Sequence, residues 1–438
     1  MSTRYRLLGL IWAWCMPLTA VGQDVRHIDI QSSAPRLAVP PCVPQSSDAE
    51  SRQACRTMTD VLRADLAFEG IFDFVDPKLY ELVPSWSPDS PNLEEWRAVF
   101  ASFLIVTRAR VQGELSVDVR VWDVGSTQLI LDKRYSGSAA NPRFFAHTVS
   151  DAVMTLTQHQ GVARTKIVFA TDREGGREGG VKQIYVMDYD GHRPQGLTRG
   201  RTLNILPNWA SDGKRIAYTS YAPRPDIIVV RPFDGGQPRN ITQGRGQSFA
   251  AAFSPDGARI AYSSSRSGRM KIWVSRPDGG GARQLTSGAS SDTAPNWSPT
   301  GREIAFTSNR SGTPQFWVVD ADGLNLRRLT RVGSYNDAPA WSPSRLFSEI
   351  AYTSRLERGE FEIAVLDLQS GEVRQITTGQ GSCESPSWAP SGRHLVFACQ
   401  RGSLWQLSIA DRNGRRVKVL AAGPGNNAQP DWGPFRSP

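Results

Sequence analysis

An aromatic residue with Pro or Ala two positions before it returns six times along this 438-residue chain, at Trp209, Phe253, Trp297, Trp341, Trp388 and Trp432, spaced by 44, 44, 44, 47 and 44 residues. The fullest copy runs Pro295-Asn-Trp-Ser-Pro-Thr-Gly-Arg-Glu-Ile-Ala-Phe-Thr-Ser-Asn-Arg-Ser-Gly312, continues through Phe316-Trp-Val-Val-Asp320 and closes at Leu329-Thr330. Related copies lie over 207–242, 251–286, 339–377 and 386–420. A period that regular means one supersecondary unit per copy, too small to bury its own apolar face and obliged to stack on the next. Inside a copy, Ser254-Pro-Asp-Gly257 is a turn: Pro fixes φ, Asp bonds its own following backbone and Gly takes positive φ. Asp278-Gly279 and Asp322-Gly323 are hairpin turns between a third and a fourth strand. The anchor aromatic is large enough to fill the wedge between neighbouring units.

The first copy starts mid-unit, with strands at Ile167–Ala170, Ile184–Met187 and Gln195–Thr198, and no Pro-x-Trp precedes it. The missing element stands at Pro430-Asp-Trp432-Gly-Pro434. A chain that begins inside a unit and supplies the absent strand later closes a ring, and closure removes the exposed edges of an open stack. The expected fold is therefore mainly β: a six-bladed β-propeller over 163–438 closed by a C-terminal strand, preceded by a small α/β domain with a mixed sheet over 36–162.

In that domain Leu37-Ala-Val-Pro40 predicts a short strand. Ser47 and Glu50 have capping-box spacing, and Cys55, Met58, Val61, Leu62, Leu66 and Phe68 recur at helical spacing until Gly70 stops the helix. Asp89-Ser-Pro91 predicts a second helix through Trp96 and Phe100, with Pro91 near its first position. Strands follow at Phe103–Arg110, Leu115–Val124 and Thr127–Tyr135; Asn141-Pro142 then opens a helix carrying Phe145, Val149, Val153, Met154 and Leu156. Helices interleaved with strands in this order imply helices packed on a mixed sheet.

Ahead of the domain, residues 1–22 combine basic Arg4 and Arg6, an apolar run from Leu7 to Leu18, and small Ala20 and Gly22. This is a secretory signal pattern, too short to span a bilayer. Trp14 is too bulky for a lipidation site at Cys15. Asp24, Val25, Arg26, His27, Ile28, Asp29 and Ile30 alternate polar with apolar before a Ser/Pro stretch, which predicts an extended arm over 23–35. No later segment approaches 18 uninterrupted apolar residues, so a monomeric chain outside the cytoplasm, without direct membrane insertion, is expected. The net charge is +9, and the signal would take two cations with it. The remaining basic residues are scattered through turns, which does not indicate nucleic acid; a solvated surface or an acidic protein or envelope partner fits better.

Four cysteines remain, Cys42, Cys55, Cys383 and Cys399. In an oxidising compartment an even count favours disulfides, and three pairings are formally open. Cys383 and Cys399 stand nearly equidistant from the Ala389–Gly392 turn, opposite one another across a hairpin, while Cys42 and Cys55 fall within one small unit. Pairs 42–55 and 383–399 are expected, with free buried thiols as the alternative.

Chemistry-bearing motifs are weak. Asp188-Tyr-Asp190-Gly191 and Asp320-Ala-Asp322-Gly323 lack the ligand series of a calcium loop. His27, His147, His159, His192 and His394 have no metal-ligand spacing. There is no Gly-x-Ser-x-Gly elbow, and Gly175–Gly180 and Gly279–Gly281 have no P-loop lysine. Neither a metal nor a cofactor is expected. An enzyme built on the propeller, peptidase- or lyase-related, is the competing class, and it would need a His/Asp cluster or an added catalytic domain. The residues entering each innermost strand should gather at one mouth of the central channel: Asn204, Ile205, Gln247, Phe249, Asp292, Thr293, Asn336, Asp337, Glu384, Asn427 and Gln429. They are either ordinary polar residues around a wet channel or a recognition funnel for a protein partner held on a rigid scaffold.

At these residues the chain resembles the TolB family, periplasmic components of the Tol-Pal system of Gram-negative bacteria. The likeness covers nearly all of the chain after the signal, including Ala64-Asp-Leu-Ala-Phe-Glu-Gly-Ile-Phe72 and the six repeats. The repeat is shared with propellers of prolyl oligopeptidase-like and tricorn-like proteases; the domain order, the signal and the closure at Trp432 are more specific. The resemblance implies a non-enzymatic periplasmic adaptor. Its members bind the peptidoglycan-associated lipoprotein Pal at the propeller mouth and the inner-membrane-anchored TolA through the N-terminus. Release of Pal then lets it engage the cell wall, supporting outer-membrane integrity and constriction at division. On this chain the Pal-facing set would include Gln247, Thr293, Asp337 and Glu384, beside Asn204, Asp292 and Gln429, and the arm from Gln23 to Pro35 would face TolA. Two departures stand out: Phe249-Ala250-Ala251 lacks the usual Pro before the aromatic, and the four cysteines are not general in the family.

Overall fold

The computed structural model describes residues 34–435 apart from 85–86, 175–180, 232–235, 244–245, 356–358 and 421. The expected signal, the arm up to residue 33 and the run Gly175–Gly180 lie outside the described residues.

The α/β domain comprises β1 (Arg36–Ala38), β2 (Val43–Pro44), α1 (Ala49–Glu69), β3 (Asp73–Phe74), α2 (Leu93–Ala98), β4 (Phe103–Gln112), β5 (Glu114–Asp123), β6 (Gln128–Ser138) and α3 (Pro142–Leu156). The sheet runs β3-β1-β4-β5-β6 with β2 also on β4. Pairing is parallel at β1/β3, β1/β4 and β2/β4, and antiparallel at β4/β5 and β5/β6, so the sheet is mixed. Helix α1 buries Ala54, Cys55, Met58, Val61, Leu62 and Leu66 against the sheet and α3, the face its three-and-four spacing dictates. Trp96 of α2 fills the opposite face with Leu104 and Val106. Cys42 is disulfide-bonded to Cys55, tying the entry to β2 onto α1.

Two helix starts differ from the sequence expectation, while α3 opens at Asn141-Pro142 as expected. Asp48, not Ser47, caps α1, because its carboxylate accepts the Ser51 N–H at 2.7 Å. Helix α2 starts at Leu93, after Pro91, because the Asn92 side chain accepts the Glu94 N–H; it ends at Ala98, and Phe100 beyond it takes φ 63°. Asn141 precedes α3 without a side-chain cap, leaving Pro142 to set the first turn. Gly70, at φ 69°, ends α1 as expected.

The propeller has six four-stranded antiparallel blades. Blade 1 is the split one: its inner strand Asn427–Trp432 pairs with Lys166–Thr171, followed by Gln183–Asp188 and Gln195–Gly196. Blades 2 to 6 begin at the inner strands Asn204–Trp209, Ser248–Phe253, Asp292–Trp297, Tyr335–Trp341 and Cys383–Trp388 and step outwards in sequence. The anchors behave as inter-blade wedges: the Trp297 indole donates to Ala252 O and that of Trp388 to Ala340 O, each in the preceding blade.

The α/β domain sits on the anchor end of blades 6 and 1. Phe68 stacks on His394 (4.2 Å between ring centres) and lies near Tyr189 and Trp432. The last carbonyls of α1 are taken up by the propeller, with Arg416 Nη1 donating to Ala67 O at 3.2 Å and His394 to Phe68 O at 3.1 Å. Burial pushes His394 down to about 3, so its ring is neutral and Nε2 carries the proton it donates. Asp65 accepts from Tyr189 OH at 2.6 Å and faces His147 Nδ1 at 2.7 Å, and Glu69 pairs with Arg393. With the domain at the anchor end, the other end of the channel stands uncovered by described residues.

Candidate functional site

Each inner strand descends the channel wall from the uncovered mouth to its anchor, and in all six the pairing with the second strand slips midway, between Ile205/Asn208, Phe249/Ala252, Thr293/Asn296, Asp337/Ala340, Glu384/Ser387 and Ala428/Asp431. The residue at the slip is left-handed every time: Leu206, Ala250, Ala294, Ala338, Ser385 and Gln429 have φ between 49° and 58°. For side chains other than glycine that costs about 1–2 kcal/mol each. In three of the six the freed N–H turns sideways and offsets part of that cost, while that of Ala338 is taken by Asp337 Oδ1 of its own strand (2.8 Å). Leu206 donates to Gln429 Oε1 (3.1 Å), Ala250 to Thr219 Oγ1 (3.3 Å) and Ser385 to Thr353 Oγ1 (3.0 Å), each across to the preceding blade. At those three the bulge locks blade to blade at the level where a guest would enter.

Above the bulge, the residue five before each anchor is buried: Asn204, Ser248, Asp292, Asn336, Cys383 and Asn427. It faces a partner on its own second strand, Ser248 with Ser264 (3.0 Å), Asp292 with Ser308 (2.6 Å) and Asn336 with Ser354 (2.7 Å); in blade 6 the Cys383–Cys399 disulfide takes the place of that hydrogen bond. The same position reaches back one blade, Asn204 to Gln183 Oε1 (3.1 Å), Asn336 to Gln315 Oε1 (3.0 Å) and Asp292 to Lys271 Nζ (3.1 Å). Burial pushes Asp292 up, but the Ser308 hydroxyl and the Arg310 guanidinium outweigh it and hold the carboxyl below its ordinary range. Of the seven residues expected at the site, Asn204 and Asp292 are therefore bolts inside the wall.

The other five reach the mouth: Thr293, Asp337, Glu384 and Gln429 are half-buried and Gln247 is exposed. Asp337 accepts from Thr307 Oγ1 (2.8 Å) and Tyr335 OH (3.2 Å). Burial, and then the charge of Asp337, raise Glu384 above its ordinary value, so the two carboxylates of blades 5 and 6 sense each other. Diametrically opposite, blades 2 and 3 present Ile205 and Phe249, the latter 6.0 Å from Tyr221. The mouth has an acidic side and an apolar side. Apart from Gln429, the left-handed residues were not expected, nor was Tyr335; the only sequence signal for the bulges is their identical offset from each anchor.

Below the bulge the wall narrows into a cavity of about 250 Å³ ringed by Asn208, Ala252, Asn296, Ala340, Ser387 and Asp431 together with the anchors. Four of these six hold the anchor N–H of the next blade: Asp431 that of Trp209 (2.7 Å), Asn208 that of Phe253 (3.1 Å), Asn296 that of Trp341 (2.8 Å) and Ser387 that of Trp432 (3.0 Å). Asp431 also accepts from Ser387 Oγ and Asn208 Nδ2, yet its depth in the ring pushes it up to about 6. A folded value above the unfolded one means stability that is complete below about 4 and lost as pH rises through about 6. Asp431→Asn keeps an acceptor for Trp209 and can donate to Ser387. It is expected to gain about 1–3 kcal/mol over the native chain at pH 8, with the gap shrinking towards pH 4.5 in urea midpoints. A gap independent of pH would refute it.

Over residues 153–436 the chain matches the family model described as the TolB beta propeller domain, and over 27–130 that of the TolB amino-terminal domain. The Tol-Pal system protein TolB of Geobacter sulfurreducens is 31% identical over 213 residues, 48% of this chain and 48% of its own length. That of Geobacter metallireducens is 33% identical over 170 residues, 38% of each chain. The chain spans about half the length of the curated relatives it matches. The crystal structure of TolB from Acinetobacter baumannii superposes with a TM-score of 0.77, covering 93% of this chain and 100% of that one at 24% identity, a likeness of fold.

Proposed function

The chain belongs to the TolB family, and from that premise we propose that it is a periplasmic, non-enzymatic adaptor of a Tol-Pal envelope system, supporting outer-membrane integrity and cell division. Pal is bound at the propeller mouth through Gln247, Thr293, Asp337, Glu384 and Gln429, with Asn204 and Asp292 supporting them from inside the wall. TolA is bound through the arm at 23–35 by strand addition, although residues 23–33 lie outside the described part of the chain. The observation that carries the reading is the mouth itself: uncovered by described residues, opposite the α/β domain and lined by polar side chains of which Gln247, Thr293 and Glu384 are not tied to another blade.

Titration calorimetry with the soluble domain of Pal tests it. Thr293→Arg and Glu384→Lys are each expected to weaken binding by about tenfold or more while leaving the melting temperature in place. Unchanged affinity would sink the mouth assignment, and loss of affinity together with stability would make both residues structural. Removing residues 23–33 is expected to abolish TolA binding alone; a variant that still binds TolA excludes the arm.

A further inference from the structure

The hairpin joining the second and third strands of every blade opens on the mouth side, and each carries an arginine: Arg173, Arg224, Arg266, Arg310, Arg355 and Arg401. Four of them lie on an aromatic ring on or beside the third strand, Arg173 on Tyr185 (4.5 Å), Arg266 on Trp273 (4.8 Å), Arg310 on Trp317 (5.0 Å) and Arg355 on Phe361 (4.7 Å). Stacking fixes a guanidinium in place and leaves its N–H fork free to meet a carboxylate. Two of the six are engaged, Arg310 with Asp292 and Arg173 with Asn427 Oδ1. Among the described residues the side chains of Arg224, Arg266, Arg355 and Arg401 make no ion pair and no hydrogen bond, and all but half-buried Arg266 are exposed.

Three carboxylates close to them in sequence are used elsewhere. Asp226 is held by Thr242 and Asn240, Asp172 by Asn426, and Glu362 by Thr377 and the Gly379 N–H. On the anchor side Arg215 is paired with Asp212, Arg327 with Glu303, and Arg374 and Arg412 with Glu349.

We propose that these arginines form an anion-binding collar around the mouth, and that the partner seated there is a folded protein with carboxylates encircling the element it inserts. The proposal rests on the mouth being a partner site. A folded protein fits better than a phosphate polymer or a lipid surface because Asp337 and Glu384 stand inside the collar. A continuous polyanion crossing the opening would meet them, whereas a protein can place acids over the rim and uncharged or basic groups at the centre.

The test is calorimetry with the soluble domain of Pal at 50 and 300 mM NaCl on the native chain, on Arg266→Gln/Arg355→Gln/Arg401→Gln, and on the anchor-side control Arg327→Gln, each with its melting temperature. The native affinity is expected to fall about tenfold between the two salts, and the triple variant to bind about tenfold more weakly at low salt with a nearly flat salt response. A triple variant that keeps native affinity and salt slope overturns the collar and leaves the mouth reading intact. So does a control that loses as much. If the native chain fails to bind the Pal domain at either salt, both fall together. Sedimentation with phosphatidylglycerol vesicles supplies the last arm: native binding that the triple variant loses, with Pal affinity unaltered, would assign the arginines to a membrane and overturn the protein partner.

Discussion

Trp432→Ala is expected to be the most damaging of the anchor truncations, at about 3–5 kcal/mol. The side chain is 5% exposed and packs with Ile167, Phe169, Val396 and Ile409, which belong to both blades it separates. Its indole donates to Thr165 Oγ1 at 2.8 Å, and its ring lies 6.5 Å from both Tyr189 and Phe68. Truncation therefore opens a cavity in the blade that closes the ring and removes one wall of the domain seam. Trp297→Ala is the comparison, because Trp297 is equally buried but touches no part of the α/β domain. Urea unfolding should show a clearly larger loss for Trp432; equal losses would mean that the seam contributes nothing through this ring.

Arg393→Ala is expected to cost about 3–5 kcal/mol at pH 8 and much less near pH 5. Glu69 is 5% exposed, accepts the Val162 N–H at 2.9 Å and depends on Arg393 for its counter-charge. Burial already raises Glu69 to about 7 with the arginine present. The native state thus binds this proton more tightly than the unfolded chain does. The resulting stability is complete below the ordinary glutamate value and is lost as pH rises through about 7. Removing Arg393 raises the carboxyl further and deepens the loss only where it would otherwise be ionised. Unfolding midpoints at pH 5 and pH 8 decide the matter, and a deficit of the same size at both values would show that Arg393 acts by packing alone.

The repeat made the ring legible because its phase survives in sequence: six anchors, and a first copy whose inner strand lies at Trp432. Helix α1 was legible for the same reason, an uninterrupted three-and-four pattern ended by Gly70. The mouth was only half legible. Alternation along a strand says that neighbours face opposite ways, so Asp292 and Thr293 cannot both line a channel, but nothing local says which one turns in. The bulges were invisible because Leu206, Ala250 and Gln429 are residues that normally avoid left-handed backbone, and only the blade behind them makes that conformation acceptable. The seam was equally hidden: Glu69 and Arg393 are 324 residues apart, and no short pattern announces a pair at that distance. The arginine in each second hairpin, by contrast, stands in the sequence at nearly constant distance after Ile-Ala-Tyr, but single cations in separate turns carry no local sign of a shared face.

Any pull delivered to the α/β domain enters the propeller along Lys166–Thr171, the strand whose lateral hydrogen bonds to Asn427–Trp432 are what holds the ring shut. Under tension that ladder would be the first joint to bear load. The contacts of Phe68, Glu69 and Ala67 with His394, Arg393 and Arg416 run beside it, from α1 directly to blade 6. They offer a second load path that bypasses the closure. Such a brace would let force on one end move the molecule without opening it.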